Sequence, residues 1–169
     1  WRLLSSSQPV MATTVPGMVI VSDHACGPEN CHWPDQPAVG FSTGLQYVPG
    51  TYAQTAEIIE LARVAGNEGG VYASHMRNEG TALEDAVTET IRVGEMSGCR
   101  VQISHLKVDS PSRWGASAQA LALIDAARKR GIVVEADQYA YTAASSSLGI
   151  RFPSWALEGG QPQMTARLN

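Results

Sequence analysis

Cysteine is scarce in this chain: Cys26, Cys31 and Cys99 are the three present among 169 residues. They are too few and too irregularly spaced for the disulfide framework of a small secreted domain, so a reducing, cytoplasmic setting is the expectation. Charge is sparse as well, and positive charge sparser, with 12 Lys and Arg against 16 Asp and Glu and a net charge of -4. A nucleic-acid surface needs clustered cations. The one dense run, Arg128-Lys129-Arg130, falls at an expected helix end, where it complements the helix dipole. No stretch approaches the roughly 20 consecutive apolar residues that cross a bilayer, which argues against a membrane partner. The N-terminus lacks a methionine and the basic start and apolar run of a signal peptide, so the chain is expected to begin inside a longer protein. What is present is ordinary globular material: 44% hydrophobic and 17% charged residues exclude disorder, and the length suffices for one buried core.

One pattern organises the chain. Val71-Tyr-Ala-Ser-His75 and Val101-Gln-Ile-Ser-His105 are two copies of a short β-prone run ending in histidine, thirty residues apart. Each is followed by a polar turn and then by a segment with helical apolar spacing, the layout of consecutive β-α units in a parallel sheet. Val133-Val-Glu-Ala-Asp137 follows in the same period with a carboxylate in place of imidazole, and an earlier run, Val39 to Thr43, begins one unit before Val71. Right-handed crossovers set such strands side by side with their helices in one outer layer. Both imidazoles then sit at the carboxyl ends of the strands, the rim where α/β folds hold ligands and metals. A single histidine ending a strand is commonly a hydrogen-bonded structural residue. Two at equivalent positions favour a metal edge, because neutral imidazole is a common ligand of zinc.

Along the chain, residues 1–38 carry Pro9, Pro16, Pro28, Pro34 and Pro37 and read as irregular, with room for one short strand. Asp23, His24, Cys26, Cys31 and His32 are metal-ligand types, but their spacing matches no paired C-x-x-C site, and mixed loop chemistry is the plainer account. Order begins at Val39 with a strand to Leu45. Thr51-x-x-Gln54 and Thr81-x-x-Glu84 are capping-box signals ahead of two amphipathic helices. Their apolar stripes are Ile58, Leu61, Ala62 and Ala65, then Leu83, Ala86, Val87, Ile91 and Gly94, and they stop at Gly66 to Gly70 and at Gly98. A third helix is expected to turn Ala120, Leu121, Leu123, Ile124 and Ala127 inward before Gly131 ends it. Between these elements lie polar stretches on the rim: Met76 to Gly80, Leu106 to Gly115, and Tyr139 to Ser147. Phe152 to Trp155 reads as irregular, and 162–169 as the start of another helix.

Gly40-Phe-Ser-Thr-Gly-Leu-Gln-Tyr-Val-Pro-Gly50, Tyr72-Ala-Ser-His-Met-Arg-Asn-Glu-Gly80, Val101-Gln-Ile-Ser-His-Leu-Lys107 and Ala136-Asp-Gln-Tyr-Ala-Tyr-Thr-Ala143 together resemble the central part of the N-acyl-D-amino-acid deacylases, members of the amidohydrolase superfamily of metal-dependent (β/α)₈ barrels. The resemblance runs from about Val39 to the C-terminus and does not extend over residues 1–38. It implies an α/β fold: a partial (β/α)₈ TIM-type barrel, about strands 4 to 7 with intervening helices, in 39–169. It also implies zinc as cofactor, held by His75 and His105, and a small-molecule N-acyl amino acid as substrate. Lys107 matches the family's carboxylate-binding lysine. Tyr139 and Ser145 match its tyrosine and serine after the seventh strand, with Tyr141 a rival for the first.

Other family features find no match: a His-x-His pair on the first strand, an early cysteine ligand, and the aspartate after the eighth strand that serves as general base. Cys26 imitates the early cysteine only weakly, Cys99 belongs on the opposite rim, and Asp137 is not the base by motif. The expected activity is hydrolysis of N-acyl-D-amino acids by the complete enzyme, with negligible turnover and weak metal affinity for this chain alone, and self-association through an open sheet edge. A cyclic amidase of the same superfamily is the alternative, although the expected strand 39–45 lacks the lysine such enzymes carboxylate. A non-catalytic α/β binding fragment is the other, since fold alone does not prove function.

Overall fold

The computed structural model describes residues 11–15, 18–22, 38–146, 149 and 152–168. Asp23, His24, Cys26, Cys31 and His32 therefore lie outside the described residues. Six strands form one sheet in chain order: β1 (Met11–Val15), β2 (Met18–Ser22), β3 (Ala38–Gly44), β4 (Val71–His75), β5 (Arg100–Ile103) and β6 (Val134–Ala136). From β3 to β6 every pairing is parallel, and β1, β2 and β3 pair antiparallel. The N-terminal stretch, read as irregular with room for one short strand, contributes two. The reason is visible in Met-Ala-Thr-Thr-Val and Met-Val-Ile-Val-Ser, two β-prone runs separated in the sequence by Pro16-Gly17, a turn dipeptide.

Three helices connect the parallel strands: α1 (Thr55–Asn67), α2 (Leu83–Ser97) and α3 (Ser117–Lys129). The stripe read on α2 is the inward face, with Leu83, Ala86, Val87, Ile91 and Gly94 all buried. Gly98, at φ 76°, supplies the left-handed cap that ends it. On α1, Ile58 and Ala62 are buried, Leu61 and Ala65 are half-buried, and Ile59 is buried beside them. On α3, Ala120, Ile124 and Ala127 face inward, but Leu121 is exposed. One turn of helix separates Ala120 from Ile124, and a residue adjacent in sequence to Ala120 is rotated about 100° off that stripe.

Neither capping box forms. Thr51 lies within a 3₁₀ turn, Gly50–Tyr52, and the residue before α1, Gln54, makes no side-chain cap. At α2 the Asn78 side-chain oxygen accepts from the backbone N–H groups of Gly80 (2.9 Å) and Ala82 (3.0 Å), so the acceptor comes from the loop and not from Thr81. Glu84 is drawn instead to Arg113.

Two apolar clusters bind the helices to the sheet. Phe41, Leu45 and Tyr72 pack with Ile58, Ile59, Ala62 and Val93, while Val101, Ile103 and Val134 pack with Leu83, Val87, Ile91 and Ile124. Each fully buried side chain of this size contributes about 1.5 to 3 kcal/mol, so the strands that carry the rim are held mainly from their helix side. Where α2 crosses β5 there is no room for a side chain: a Cβ on Gly94 would meet Val101 Cγ2 at 2.0 Å. At the C-terminal end, the stretch read as irregular contains a short helix, α4 (Ser154–Leu157), anchored by the buried Ala156, and α5 (Gln161–Leu168) follows. No described helix is long and apolar enough to cross a membrane.

Candidate metal centre

His75 is the last residue of β4, and His105 lies two residues beyond the end of β5. The two copies of the histidine pattern are not in register. Val71 pairs with Arg100 and Ser74 with Ile103, so Ser104 is level with His75 and His105 stands one residue further on. The chain corrects the offset with a left-handed turn at His105, φ 42°. The rings consequently meet edge to face, with centroids 4.4 Å apart.

Between them stands Glu79, which the sequence reading left unremarked in a polar loop. It is buried, at 3% exposure, although it carries a charge. Its Oε1 lies 2.9 Å from His105 Nδ1, and its Oε2 lies 2.5 Å from Lys107 Nζ and 3.9 Å from His75 Nε2. The Glu79 loop is fixed from both sides, by the Asn78 turn and by the Asp109 N–H donating to the Glu79 carbonyl at 2.7 Å. Burial by itself pushes the Glu79 carboxyl up, but hydrogen bonds from His105 and Lys107 and the Lys107 charge outweigh it and hold it below the ordinary carboxylate value. Glu79 is therefore ionised and acts as an acceptor. Lys107 Nζ also lies 3.0 Å from His105 Nδ1, but one nitrogen cannot both donate to Glu79 and accept from an ammonium. With an anionic carboxylate at hand, Nδ1–H donates to Glu79, and the ammonium bonds to Glu79 and to the His105 carbonyl (3.2 Å). That tautomer leaves the lone pair of His105 on Nε2.

His75 is pushed down to about 4, chiefly by burial and further by the neighbouring His105 and Lys107, against the opposing pull of Glu79. At neutral pH its imidazole is uncharged, the form that ligates metals. Tyr47 packs edge-on against it at 4.7 Å between centroids, and the Gln46 amide lies 2.8 Å from Nε2. Because an amide can present oxygen or nitrogen, this contact is compatible with either tautomer of His75.

His75, Glu79 and His105 offer one ligand atom each, all within 4.8 Å of one another. Two imidazoles and a carboxylate form a donor set of the kind that holds zinc, so the residues fit that ion. They open into a cleft of about 740 Å³. Lys107, Tyr139 and Ser145 all line it, as do Gln46, Tyr47 and Asp109. The Lys107 ammonium is 5.6 Å from the Tyr139 ring centroid, and the Tyr139 hydroxyl is buried without a hydrogen-bond partner. Ser145 and Tyr141 are exposed further out. Cys99 sits at the other end of β5, buried beneath α1, its Sγ 3.0 Å from the Ala62 carbonyl. Glu79 shares its loop with Arg77 and Asn78, so residue type did not single it out; its spacing of four from His75 was the one available signal. Gln46 carried none.

Four parallel strands of an α/β sheet thus bring two histidines, and the loop after β4 a carboxylate, to one cleft, an arrangement that could hold a metal ion. No family model matches the chain. Among curated proteins it is similar to an N-acyl-D-glutamate deacylase and a D-aminoacylase of Alcaligenes xylosoxydans xylosoxydans, 50% and 44% identical over 111 residues, 66% of this chain. Over the matched segment the chain is a homologue of the N-acyl-D-amino-acid deacylases. The chain spans about 23% of the length of those relatives. Among solved structures, the N-acyl-D-glutamate deacylase of Bordetella bronchiseptica, complexed with zinc and a phosphonate mimic of the tetrahedral intermediate, is 48% identical with a TM-score of 0.60, covering 62% of this chain and 22% of that one. A D-aminoacylase structure is 45% identical with the same TM-score, covering 63% and 22%.

Proposed function

We propose that this chain forms part of a zinc-dependent enzyme that hydrolyses the amide bond of N-acyl-D-amino acids, with β3 to β6 as about strands 4 to 7 of a (β/α)₈ barrel. In this reading, residues 39–169 are the barrel portion and residues 1–38 lie outside it. The observation that carries it is the convergence of His75, Glu79 and His105 on one cleft that also contains Lys107 and the unpartnered Tyr139 hydroxyl. Homology to deacylases narrows the chemistry that such a site performs.

His75 and His105 would hold the ion, with Glu79 beside them as the acceptor that orients the His105 ring. Bound there, zinc supplies Lewis acidity toward an amide carbonyl and lowers the pKa of water. The chain's own residues do the rest of the work assigned to them here. Glu79 keeps the His105 proton on Nδ1, which turns Nε2 toward the cleft. Lys107 neutralises the free carboxylate of the substrate, and the hydroxyls of Tyr139 and Ser145 donate hydrogen bonds to it. Fixing the carboxylate at one end of the cleft and the amide at the other places the substrate side chain on one side only, the condition for distinguishing a D- from an L-enantiomer.

The test is a chimera in which this chain replaces the matching segment of an N-acyl-D-glutamate deacylase. Zinc-loaded chimera is expected to hydrolyse an N-acyl-D-amino acid and leave the L-enantiomer. A folded, zinc-bound chimera inactive on every N-acyl-D-amino acid tried would end this reading. Self-pairing through β6 belongs to the same proposal, because among the described residues β6 has a strand on one side alone. Sedimentation at rising concentration is expected to show a growing apparent mass.

A further inference from the structure

The register offset between β4 and β5 sets a problem that the turn at His105 has to solve. Val101 and Ile103 face the helices, and Gln102 faces the other way. A strand continued in strict alternation would send Ser104 toward His75 and His105 back toward the helices. The left-handed conformation at φ 42° re-aims the ring. A residue with a Cβ keeps that conformation only where its surroundings hold it.

The holding group comes from the next strand. Asp137 Oδ1 accepts the His105 backbone N–H at 2.6 Å, and Oδ2 accepts the Gln102 side-chain N–H at 2.7 Å. The Asp137 N–H donates to the Ile103 carbonyl at 3.1 Å, and the Leu106 N–H donates to the Asp137 carbonyl at 2.9 Å. One residue therefore bonds the backbone before, at and after the left-handed position. Asp137 is neither in the group of candidate ligands nor among the residues lining the cleft.

We propose that Asp137 is a positioning residue that locks the left-handed turn and so aims the His105 imidazole at the centre; this rests on His105 being a metal ligand. A carboxylate suits the task. Its charge shortens the bond to the N–H, and its second oxygen, engaged by Gln102, fixes the rotamer.

Asp137→Asn keeps an oxygen for the His105 N–H, and its amide nitrogen can donate to a rotated Gln102. Asp137→Ala keeps neither. In the full chain without metal, amide NMR and hydrogen exchange read the His105 N–H directly. Competition with a chromophoric chelator reads zinc affinity separately. The wild-type His105 amide is expected downfield and slow to exchange, and Asp137→Asn is expected to preserve both. Asp137→Ala is expected to lose both and to bind zinc about 10- to 100-fold more weakly, with Asp137→Asn within about threefold of wild type.

Unchanged amide and affinity in Asp137→Ala overturn the proposal, as does an Asn variant as impaired as the Ala variant. If Asp137→Ala fails to fold, the wild type and Asp137→Asn decide the matter, and a fast-exchanging wild-type His105 amide overturns it. If no protein binds zinc while the amide responds as expected, the metal reading fails and the positioning role stands.

Discussion

The Arg77 side chain makes four hydrogen bonds beside the cleft, and replacing it with methionine tests how the rim is held. Its guanidinium donates to both oxygens of Glu89, at 2.9 and 3.0 Å, and to the carbonyls of Thr51 and Ala53, each at 2.9 Å. It thereby joins α2 to the segment that leads from Tyr47 into α1. Methionine fills most of the volume but removes four hydrogen bonds and leaves the Glu89 carboxylate with only the Thr55 hydroxyl at 2.7 Å. Breaking a fully buried pair from one side costs about 3 to 5 kcal/mol. The side chains here are 30% and 14% exposed, so water relieves part of that, and about 2 to 3 kcal/mol remains. For a chain of this size, such a loss lowers Tm by roughly 4 to 12 °C.

The pH dependence follows from Glu89. Burial alone pushes its carboxyl up, but hydrogen bonds from Arg77 and Thr55 and the Arg77 charge leave it below its ordinary value. A carboxylate with a depressed folded pKa contributes stability that is present above the unfolded value near 4.3 and disappears as pH falls through the folded one. The gap in Tm between wild type and Arg77→Met, followed by far-UV circular dichroism, is therefore expected to be full at pH 7 and to narrow as pH falls through the folded value of Glu89, leaving the share that the Thr51 and Ala53 carbonyl bonds contribute. A gap under about 2 °C at pH 7, or one as large at pH 3 as at pH 7, would refute the reasoning.

Glu79→Gln removes the anion that orients His105, and zinc affinity measured against a chelator is expected to fall about 10- to 100-fold. Lys107→Met in the deacylase chimera is expected to raise KM by at least about tenfold, with a smaller change in kcat, in steady-state kinetics, because it removes a contact to the unreacting carboxylate. Gly94→Ala places a methyl group where Val101 already stands. Its helix-propensity gain of about 1 kcal/mol is expected to be outweighed by overpacking of about 1 to 3 kcal/mol, read as a lower urea midpoint.

The parts of the fold legible in the sequence were those with a strict period. β4 is the five residues read, and the α2 stripe is the buried face, because a long run of matched positions leaves little freedom in phase. Register was not legible. Val71 to His75 and Val101 to His105 look like equivalent copies, yet the backbone pairs them one residue apart, and nothing in Ser104-His105 announces a left-handed turn. Cap positions failed for a related reason: Thr51 and Thr81 have the right neighbours, but a long-range bond from Arg77 and local bonds to Asn78 hold those backbones otherwise. Leu121 shows the limit of residue type, an apolar side chain left outside because its phase on α3 is wrong. The histidine pair was found because two rare side chains recur at a fixed interval. Glu79 recurs with nothing, and beyond its spacing of four from His75 only its burial marks it.

The side chains of the cleft are contributed by four connections, those following β3, β4, β5 and β6, and few backbone hydrogen bonds run directly between these connections. An occupant touching several of them acts as a tie across the top of the sheet. It should slow exchange of loop amides while barely affecting the helices below, which are already secured by packing. Such a tie would add to those the rim already makes through Asp109 and Asp137.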